Sequence, residues 1–332
     1  MKKNAGPKRM DEIAQLAGVS TPTVSRALQD SPLVSDKTKQ RIIEIARRNG
    51  YVVNRSAQNL RRQRTGTIAV VVDFPHLPEN QLSDPFHFAL LGNIANALAV
   101  RQQDVLLCSE QSAHKVGFEQ MLSNKGVDGI IFLGQSGRHE EFRALAKIGV
   151  PFVVWGAHRA DASYCVVGSD NLLGGRLVAQ RFRSLNRKRA MFLGPRGHIE
   201  IEQRCKGFAE GWKGVVEELE VPDLSFIASR NAVLNRLDSK KPAPDALFAG
   251  SDTMAMGALA AFRERGIEVP SACTVCGYDD SPSAVHHSPP LTTVRQDTKM
   301  AGAILVERLM QTIQGTPAAA VMLPTELVIR VS

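Results

Sequence analysis

Thr21, Pro22, Ser25 and Arg26 stand at spacings that place them on one side of a short helix, with Val24, Ala27 and Leu28 on the other. A polar face at the N-terminal half of a helix suits base edges in a major groove, where an Arg such as Arg26 matches the two acceptors of guanine. Pro22 offers no donor, so reading at that position is apolar or shape-based. The charge around these residues is lopsided. The first 65 residues carry fourteen Lys/Arg against five Asp/Glu, a balance of +9, while the rest of the chain has 27 against 28. A basic head on a nearly neutral body fits docking on a polyanion by one part of the chain only.

Three short helices are needed to hold that face. Met10–Ala17 has Ile13, Ala14, Leu16 and Ala17 at helical spacing and acids in its first turn, and Gly18 ends it. Val19 is a buried pivot, Ser20 caps a second helix that tolerates Pro22 in its opening turn, and this helix runs to about Leu28. Ser35 and Asp36 announce a third helix, with Ile42, Ile45 and Ala46 on its inner side, Arg47 and Arg48 in its last turn and Gly50 beyond. Spacing alone fits any capped three-helix bundle with a solvated charged face equally well.

After Thr65 apolar runs alternate with helical patterns. Residues 66–73, 104–109, 127–133 and 150–155 read as buried parallel strands, with helices near 88–102, 114–125 and 139–148 between them. The alternation resumes with a helix near 174–184, strand 190–194, a helix over 200–219, strands 224–228 and 245–250, a helix over 252–265, and strand 273–277. That is too many strands for one lobe, so two doubly wound α/β lobes are expected, with a ligand cleft at the C-terminal ends of their strands.

The run from Asp11 to Leu28 (DEIAQLAGVSTPTVSRAL), followed by Val34-Ser35 and Gly50-Tyr51, resembles the DNA-binding domain of the LacI/GalR family of bacterial transcription regulators. Asn54-Arg-Ser-Ala57-Gln58-Asn-Leu60 is similar to that family's hinge helix, which folds when two subunits lie side by side in the minor groove. The resemblance implies DNA contacts from Ser20, Thr21, Pro22, Thr23, Ser25, Arg26 and Ser35 in the head, and from Asn54, Arg55, Ala57, Gln58, Leu60 and Arg61 in the hinge. Leu60 matches the family's wedge. An apolar side chain between base steps kinks the duplex, although a Leu that packs the linker onto the body is the plainer reading. Arg55, Arg61, Arg62 and Arg64 supply salt-sensitive phosphate contacts.

The body carries further motifs of the family: Asp170-Asn171, Gly174-Gly175-Arg176, Gly250-Ser251-Asp252, Gly277-Tyr278-Asp279-Asp280, and Pro289 through Asp297. The implied architecture is an all-α helix-turn-helix head (1–53), a hinge helix and linker (54–65), and an effector domain (66–332) resembling the type I periplasmic-binding-protein fold. Its lobe one is about 66–168 and 296–322, and its lobe two about 169–295 and 323–332. Arg204 and Asp279 match the effector-contacting Arg and Asp, a pair that brackets vicinal hydroxyls with donors on one side and acceptors on the other. An interlobe salt bridge or a surface Arg is the alternative. Ser251 and Asp252 match the next pair, with Ser where the family often has Asn. On lobe one Asp73, Phe86, His87 and Trp155 match or adjoin the ligand-facing strand ends. Trp155 stands where aliphatic residues are usual, so it either stacks on a sugar face or, like Phe86, is ordinary core.

Other features are bland. The five Cys are scattered, and Cys273 and Cys276 fall on opposite faces of a strand, a poor redox or zinc arrangement. Gly194-Pro-Arg-Gly-His198 lacks the Lys and spacing of a phosphate-binding loop. No His cluster has metal-ligand spacing and no nucleophile elbow occurs, so neither enzymatic activity nor a cofactor is expected. With no secretion-signal-like or membrane-length apolar stretch, a cytoplasmic protein is expected. No leucine-heptad helix follows Pro324, so a homodimer on a near-palindromic operator is expected. The chain thus reads as a ligand-responsive transcription regulator, a repressor of carbohydrate-use genes with a sugar in the cleft. A nucleobase or phosphorylated metabolite fits the same architecture, and a small-molecule binding protein without regulatory role is the reading from another class.

Overall fold

The computed structural model describes residues 9–28, 30–51, 64–72, 84–109, 117–124, 126–135 and 137–332. The chain divides into two compact units, Met1–Thr65 and Gly66–Ser332.

The first unit holds α1 (Met10–Ala17), α2 (Thr21–Leu28) and α3 (Asp36–Arg48). Ile13, Ala14, Ala17, Val24, Ala27, Val34, Ile42 and Ala46 form its core, with Val19 and Leu28 only partly buried. Gly18, at φ +61°, closes α1 and donates to carbonyls of that helix, a backbone conformation that residues with a Cβ adopt only at a cost. Ser35 caps α3 by accepting from the Thr38 amide. Arg41 reaches across to the Ala17 carbonyl at 2.8 Å, placing a cation on the negative end of α1. Leu16, expected with the apolar residues of α1, is 53% exposed. At 100° per residue it lies about 110° around the helix from the middle of the Ile13–Ala14–Ala17 stripe, so the core cannot reach it.

The second unit contains two six-stranded sheets. In chain order its elements are β1 (Thr67–Val72), α4 (Pro85–Val100), β2 (Asp104–Ser109), α5 (Phe118–Ser123), β3 (Gly129–Leu133), α6 (His139–Lys147), β4 (Phe152–Trp155) and β5 (Val166–Ser169). Next come α7 (Asn171–Ser184), β6 (Ala190–Gly194), α8 (Ile199–Trp212), β7 (Val216–Glu220), α9 (Phe226–Leu237), β8 (Ala246–Ala249), α10 (Asp252–Glu264) and β9 (Thr274–Asp279). The chain ends with α11 (Pro282–His286), β10 (Thr292–Gln296), α12 (Thr298–Ile313), β11 (Val321–Leu323) and β12 (Thr325–Val328). Sheet one runs β11-β5-β4-β3-β1-β2 and sheet two β12-β10-β9-β8-β6-β7. All pairings are parallel except β10 with β12. Helices cover both faces of each sheet, which is why the central strands are apolar throughout. On sheet one, α4 and α12 pack on one face and α5 and α6 on the other. Sheet two is covered by α9 and α10 on one face and α7 and α8 on the other. Cys273 and Cys276 fall in these two separate layers, as a period of two requires.

The chain passes between the sheets after β5, after β10 and between β11 and β12. The first and third crossings are tied together: the Asp170 amide donates to the Leu323 carbonyl at 3.0 Å, and the Thr325 hydroxyl donates to the Asp170 carbonyl.

Two sequence expectations fail in lobe two. The helix expected over 200–219 ends at Trp212, Lys213 turns left-handed at φ 60°, and Val216–Glu220 is strand β7. β7 pairs only with β6 at the sheet edge and is half exposed, so its Glu-rich sequence carries no buried-strand signal. The strand expected over 224–228 is instead the start of α9, where Ser225 accepts from the Ala228 amide at 3.1 Å. A short apolar run does not by itself distinguish strand from helix, and here the cap decides.

Candidate functional site

In the first unit, Ser20, Thr21, Pro22, Arg26 and Ser35 are exposed and Thr23 and Ser25 half-buried. The Ser20 hydroxyl is 2.9 Å from that of Thr23, and Ser35 makes the same pairing with Thr38. The cations differ in how far they are engaged. Lys39 lies 2.7 Å from Asp30 and 3.3 Å from Asp36, and Arg48 2.5 Å from Glu44, whereas Arg26 forms no ion pair among the described residues. The N-terminal half of α2 therefore offers Thr21 and Pro22 with an uncommitted guanidinium one turn along. Asn54, Arg55, Ala57, Gln58, Leu60 and Arg61 lie outside the described residues, as does Asp73 in the second unit.

In the second unit, the strand ends bring together the first turn of α4, the loop after β4, the first turns of α8, and the end of β9. The loop after β4 touches α8 directly: the Gln203 amide donates to the His158 carbonyl at 3.3 Å. Asp84 caps α4, accepting from the His87 amide at 3.1 Å, and its Oδ1 lies 3.0 Å from His87 Nδ1. Burial pushes the Asp84 carboxyl up, but the His87 hydrogen bond and charge outweigh it and hold it below its ordinary range. Phe86 and Trp155 are each 6% exposed, with ring centroids 5.8 Å apart, inside the layer beneath α4 and α12. Such burial fits a core role for both rings, with little face left for a ligand.

Arg204 is 6% exposed. Its Nε donates to Asn171 Oδ1 at 2.8 Å and its Nη1 to the Gly250 carbonyl at 2.6 Å, and the guanidinium sits 3.7 Å over the Tyr278 ring. It is thus not a surface side chain, and among the described residues it is part of no interlobe salt bridge. Its position depends on the approach of α7 to α8, since a Cβ on Gly175 would lie 2.1 Å from the Arg204 carbonyl oxygen and one on Gly207 2.1 Å from that of Leu172. Gly175 and Gly207 thus let the two backbones touch, while Gly174 leaves room for the Tyr278 ring, whose hydroxyl would lie 2.5 Å from a Cβ there.

Asp279 is 8% exposed at the end of β9, where its Oδ1 accepts from Gln296 Nε2 at 2.7 Å. Its φ is 120° and that of Asp280 is 56°, two strained non-glycine positions in succession. Asp280 is clamped by Arg295 at 2.6 Å and by Arg330. Desolvation drives the Asp279 carboxyl well above its ordinary range; Arg204 opposes the rise, and Asp252 and, from sheet one, Asp84 reinforce it. Glu200, one turn before Arg204 on α8, is raised by burial against the opposing charges of Arg204 and His87.

Ser251 and Asp252 serve the scaffold. The Ser251 hydroxyl caps α10 by accepting from the Met254 amide at 3.2 Å. Asp252, 1% exposed, accepts from the Thr293 hydroxyl at 2.5 Å and from the Ser281 amide at 2.7 Å. Burial pushes its carboxyl up to about 7 even against those hydrogen bonds. Both oxygens therefore face inward. In the loop after β6, the Gly197 amide donates to Glu202 at 3.1 Å, so one of the chain's own carboxylates sits there.

Sequence reasoning passed over Glu200, Asn171, Tyr278 and Gln296 as site residues. Glu200 had a legible signal, since it precedes Arg204 by four residues and shares its helix face. Among the described residues no group of His, Cys, Asp and Glu is arranged to hold a metal ion, and no helix is long and apolar enough to cross a membrane.

Residues 9–54 match the bacterial regulatory proteins of the lacI family, and residues 179–332 match the periplasmic binding protein-like domain. Over 97% of both chains the protein is 31% identical to the HTH-type transcriptional regulator CelR of Thermobifida fusca. The solved transcriptional regulator CelR–cellobiose complex matches with a TM-score of 0.70 at 29% identity, covering 98% of this chain and 99% of that one. The lac repressor dimer bound to operator and the anti-inducer ONPF matches at 0.80 over 98% of each chain, a likeness of fold alone at 24% identity. With an N-terminal helical head of the matching signature, two parallel-rich six-stranded sheets, and a full-length regulator as relative, this chain belongs to the lacI family of bacterial regulatory proteins.

Proposed function

We propose that this protein is a sequence-specific DNA-binding transcription regulator, a repressor of carbohydrate-use genes, whose operator affinity changes when a sugar binds between the two sheets. The observation that carries the reading is the presence in one chain of the uncommitted Arg26 face on a basic unit and of a buried Arg204–Asp279 region at the strand ends of a two-sheet body. The cellobiose in the CelR complex supports a sugar as effector.

In this reading residues 1–53 read the major groove through Thr21, Pro22, Ser25 and Arg26, while residues 54–65 form a hinge in which Leu60 opens a base step. Two chains act as a homodimer on a near-palindromic site. Ligand closure of the cleft shifts the sheet-one lobes of the pair, so that hinge pairing is gained or lost. Such coupling is about 1–3 kcal/mol, or roughly 5- to 150-fold in affinity, and is reciprocal between ligand and operator. A gel-shift assay on DNA upstream of the protein's own gene, challenged with mono- and disaccharides, tests it. The expected result is a sequence-selective, salt-sensitive complex whose midpoint moves with one sugar; no selective complex on any promoter fragment refutes the reading.

A further inference from the structure

Neighbouring parallel strands need a crossover, ordinarily a helix. In sheet one α4, α5 and α6 make the first three, but β4 and β5 are joined by residues 156–165 with no helix between them. Lobe one pins this connection at both ends. Buried Gln135, just after β3, accepts from the Ala157 amide on Oε1 at 3.0 Å and donates through Nε2 to the Tyr164 hydroxyl at 3.4 Å. A Cβ on Gly156 would lie 2.7 Å from that Gln135 oxygen, so the chain passes over it at a glycine. The Tyr164 ring packs on Phe142 and Phe152, with centroids 5.3 and 5.8 Å apart, and its hydroxyl is 2.9 Å from His139 Nδ1. His139 Nε2 lies 3.2 Å from Asp161, which Arg159 grips at 3.0 and 3.2 Å. The crest between these pins meets the other lobe. Gln203 of α8 donates to the His158 carbonyl at 3.3 Å. Burial raises the Glu200 carboxyl, and the Ala157 amide is among the groups that oppose the rise, so the first two turns of α8 lie against the crest.

We infer that residues 156–165 are a strap by which lobe one holds lobe two, with Gln135 as the positioning residue that fixes the strap and Gln203 as its catch on α8. A carbonyl on a crest pinned at both ends does not follow a departing helix, so parting the lobes breaks the Gln203 contact and closing them remakes it. The strap is then one of the contacts that set the balance between open and closed cleft on which an effector acts. That role rests on the proposed closure of the cleft; the contact itself needs no effector.

Hydrogen exchange of the full chain, read by mass spectrometry with no ligand added, tests it. Gln203 is half-buried on α8, so Gln203→Ala and the isosteric Gln203→Glu, which lacks the donor, should leave the melting temperature unchanged. Both are expected to speed exchange across 156–164, in the opposite lobe, by at least about threefold, the low end of what one hydrogen bond is worth. Gln135→Ala is expected to speed exchange in the strap and also at 199–205 of α8, with the amides of β8 and β9 unchanged as the control for an intact lobe two. Strap exchange unchanged in both Gln203 variants, or faster exchange in Gln135→Ala confined to lobe one, overturns the inference. Should Gln135→Ala fold poorly, the two Gln203 variants decide alone. None of these outcomes depends on a sugar binding, so a failure of the sugar reading shows separately.

Discussion

Replacing Arg204 with Ala tests the central geometry of lobe two. The substitution leaves Asn171 Oδ1 and the Gly250 carbonyl, now satisfied at 2.8 and 2.6 Å, without a donor in a region where Arg204 itself is 6% exposed. A buried acceptor stripped of its partner costs about 1–3 kcal/mol, and loss of a desolvated cation–π contact like that with Tyr278 costs up to about 2 kcal/mol. Asp279 loses a cation that opposes the effect of its desolvation. Part of this is recovered by water entering the vacated space, so the expected loss is about 3–5 kcal/mol, in line with removal of one partner from a buried polar pair. Urea unfolding followed by the fluorescence of Trp155 and Trp212, which report one on each sheet, measures it. Asn171→Ala and the double variant complete a cycle, with an expected coupling of at least about 0.5 kcal/mol. A loss below about 1 kcal/mol, or strict additivity, would refute the burial and pairing argued for Arg204. The same design separates a folding defect from deafness to ligand, because effector response is then scored under conditions where the variant is folded.

Three further outcomes are expected. The Asp252 carboxyl lies at about 7 in the folded chain against an ordinary 3.8, so its contribution is fully present below about pH 4 and is lost as pH rises toward 7; Asp252→Asn should flatten that part of the stability profile, and parallel profiles would contradict the assignment. Arg330→Ala removes one side of the Asp280 clamp along with a hydrogen bond to the Leu291 carbonyl; it should cost about 2 kcal/mol in chemical unfolding and weaken effector binding, since Asp279 shares the strained turn. Arg26→Ala should weaken operator binding by about 1–3 kcal/mol at fixed salt while leaving the melting temperature unchanged, because no described residue pairs with this guanidinium; a lowered melting temperature would argue for a structural role.

The parts legible in sequence are those where one physical requirement acts alone. Buried parallel strands such as Gly129–Leu133 are covered on both faces, so an unbroken apolar run is all they require, and Gly18 and Ser35 mark helix ends by their own backbone chemistry. Where two requirements overlap, the sequence misleads. β7 satisfies strand pairing on one edge only and otherwise faces water, so its Glu residues read as helix; Phe226-Ile227-Ala228 reads as strand although Ile227 is 60% exposed on the first turn of α9. The side-chain partners of the site were less legible still. That Asn171 and Gly250 hold Arg204, or that Arg295 and Arg330 converge on Asp280, depends on contacts between segments distant in the chain, which no local pattern encodes.

The motif residues of the body divide by what their atoms do. Gly175 and Gly207 let α7 and α8 approach, Gly174 makes room for the Tyr278 ring, Asp170 and Ser251 cap helices, and Asp252 ties the start of α10 to β10 and to the turn after β9. All of these are requirements of building two packed sheets joined by three crossings, and they hold whatever the ligand. Asp279 differs, because its φ of 120° is not explained by the scaffold: a non-glycine residue held there persists only where the surroundings over-determine it. Exchanging Gly175, where a Cβ would lie 2.1 Å from the Arg204 carbonyl oxygen, should therefore unfold the lobe whatever ligand it takes.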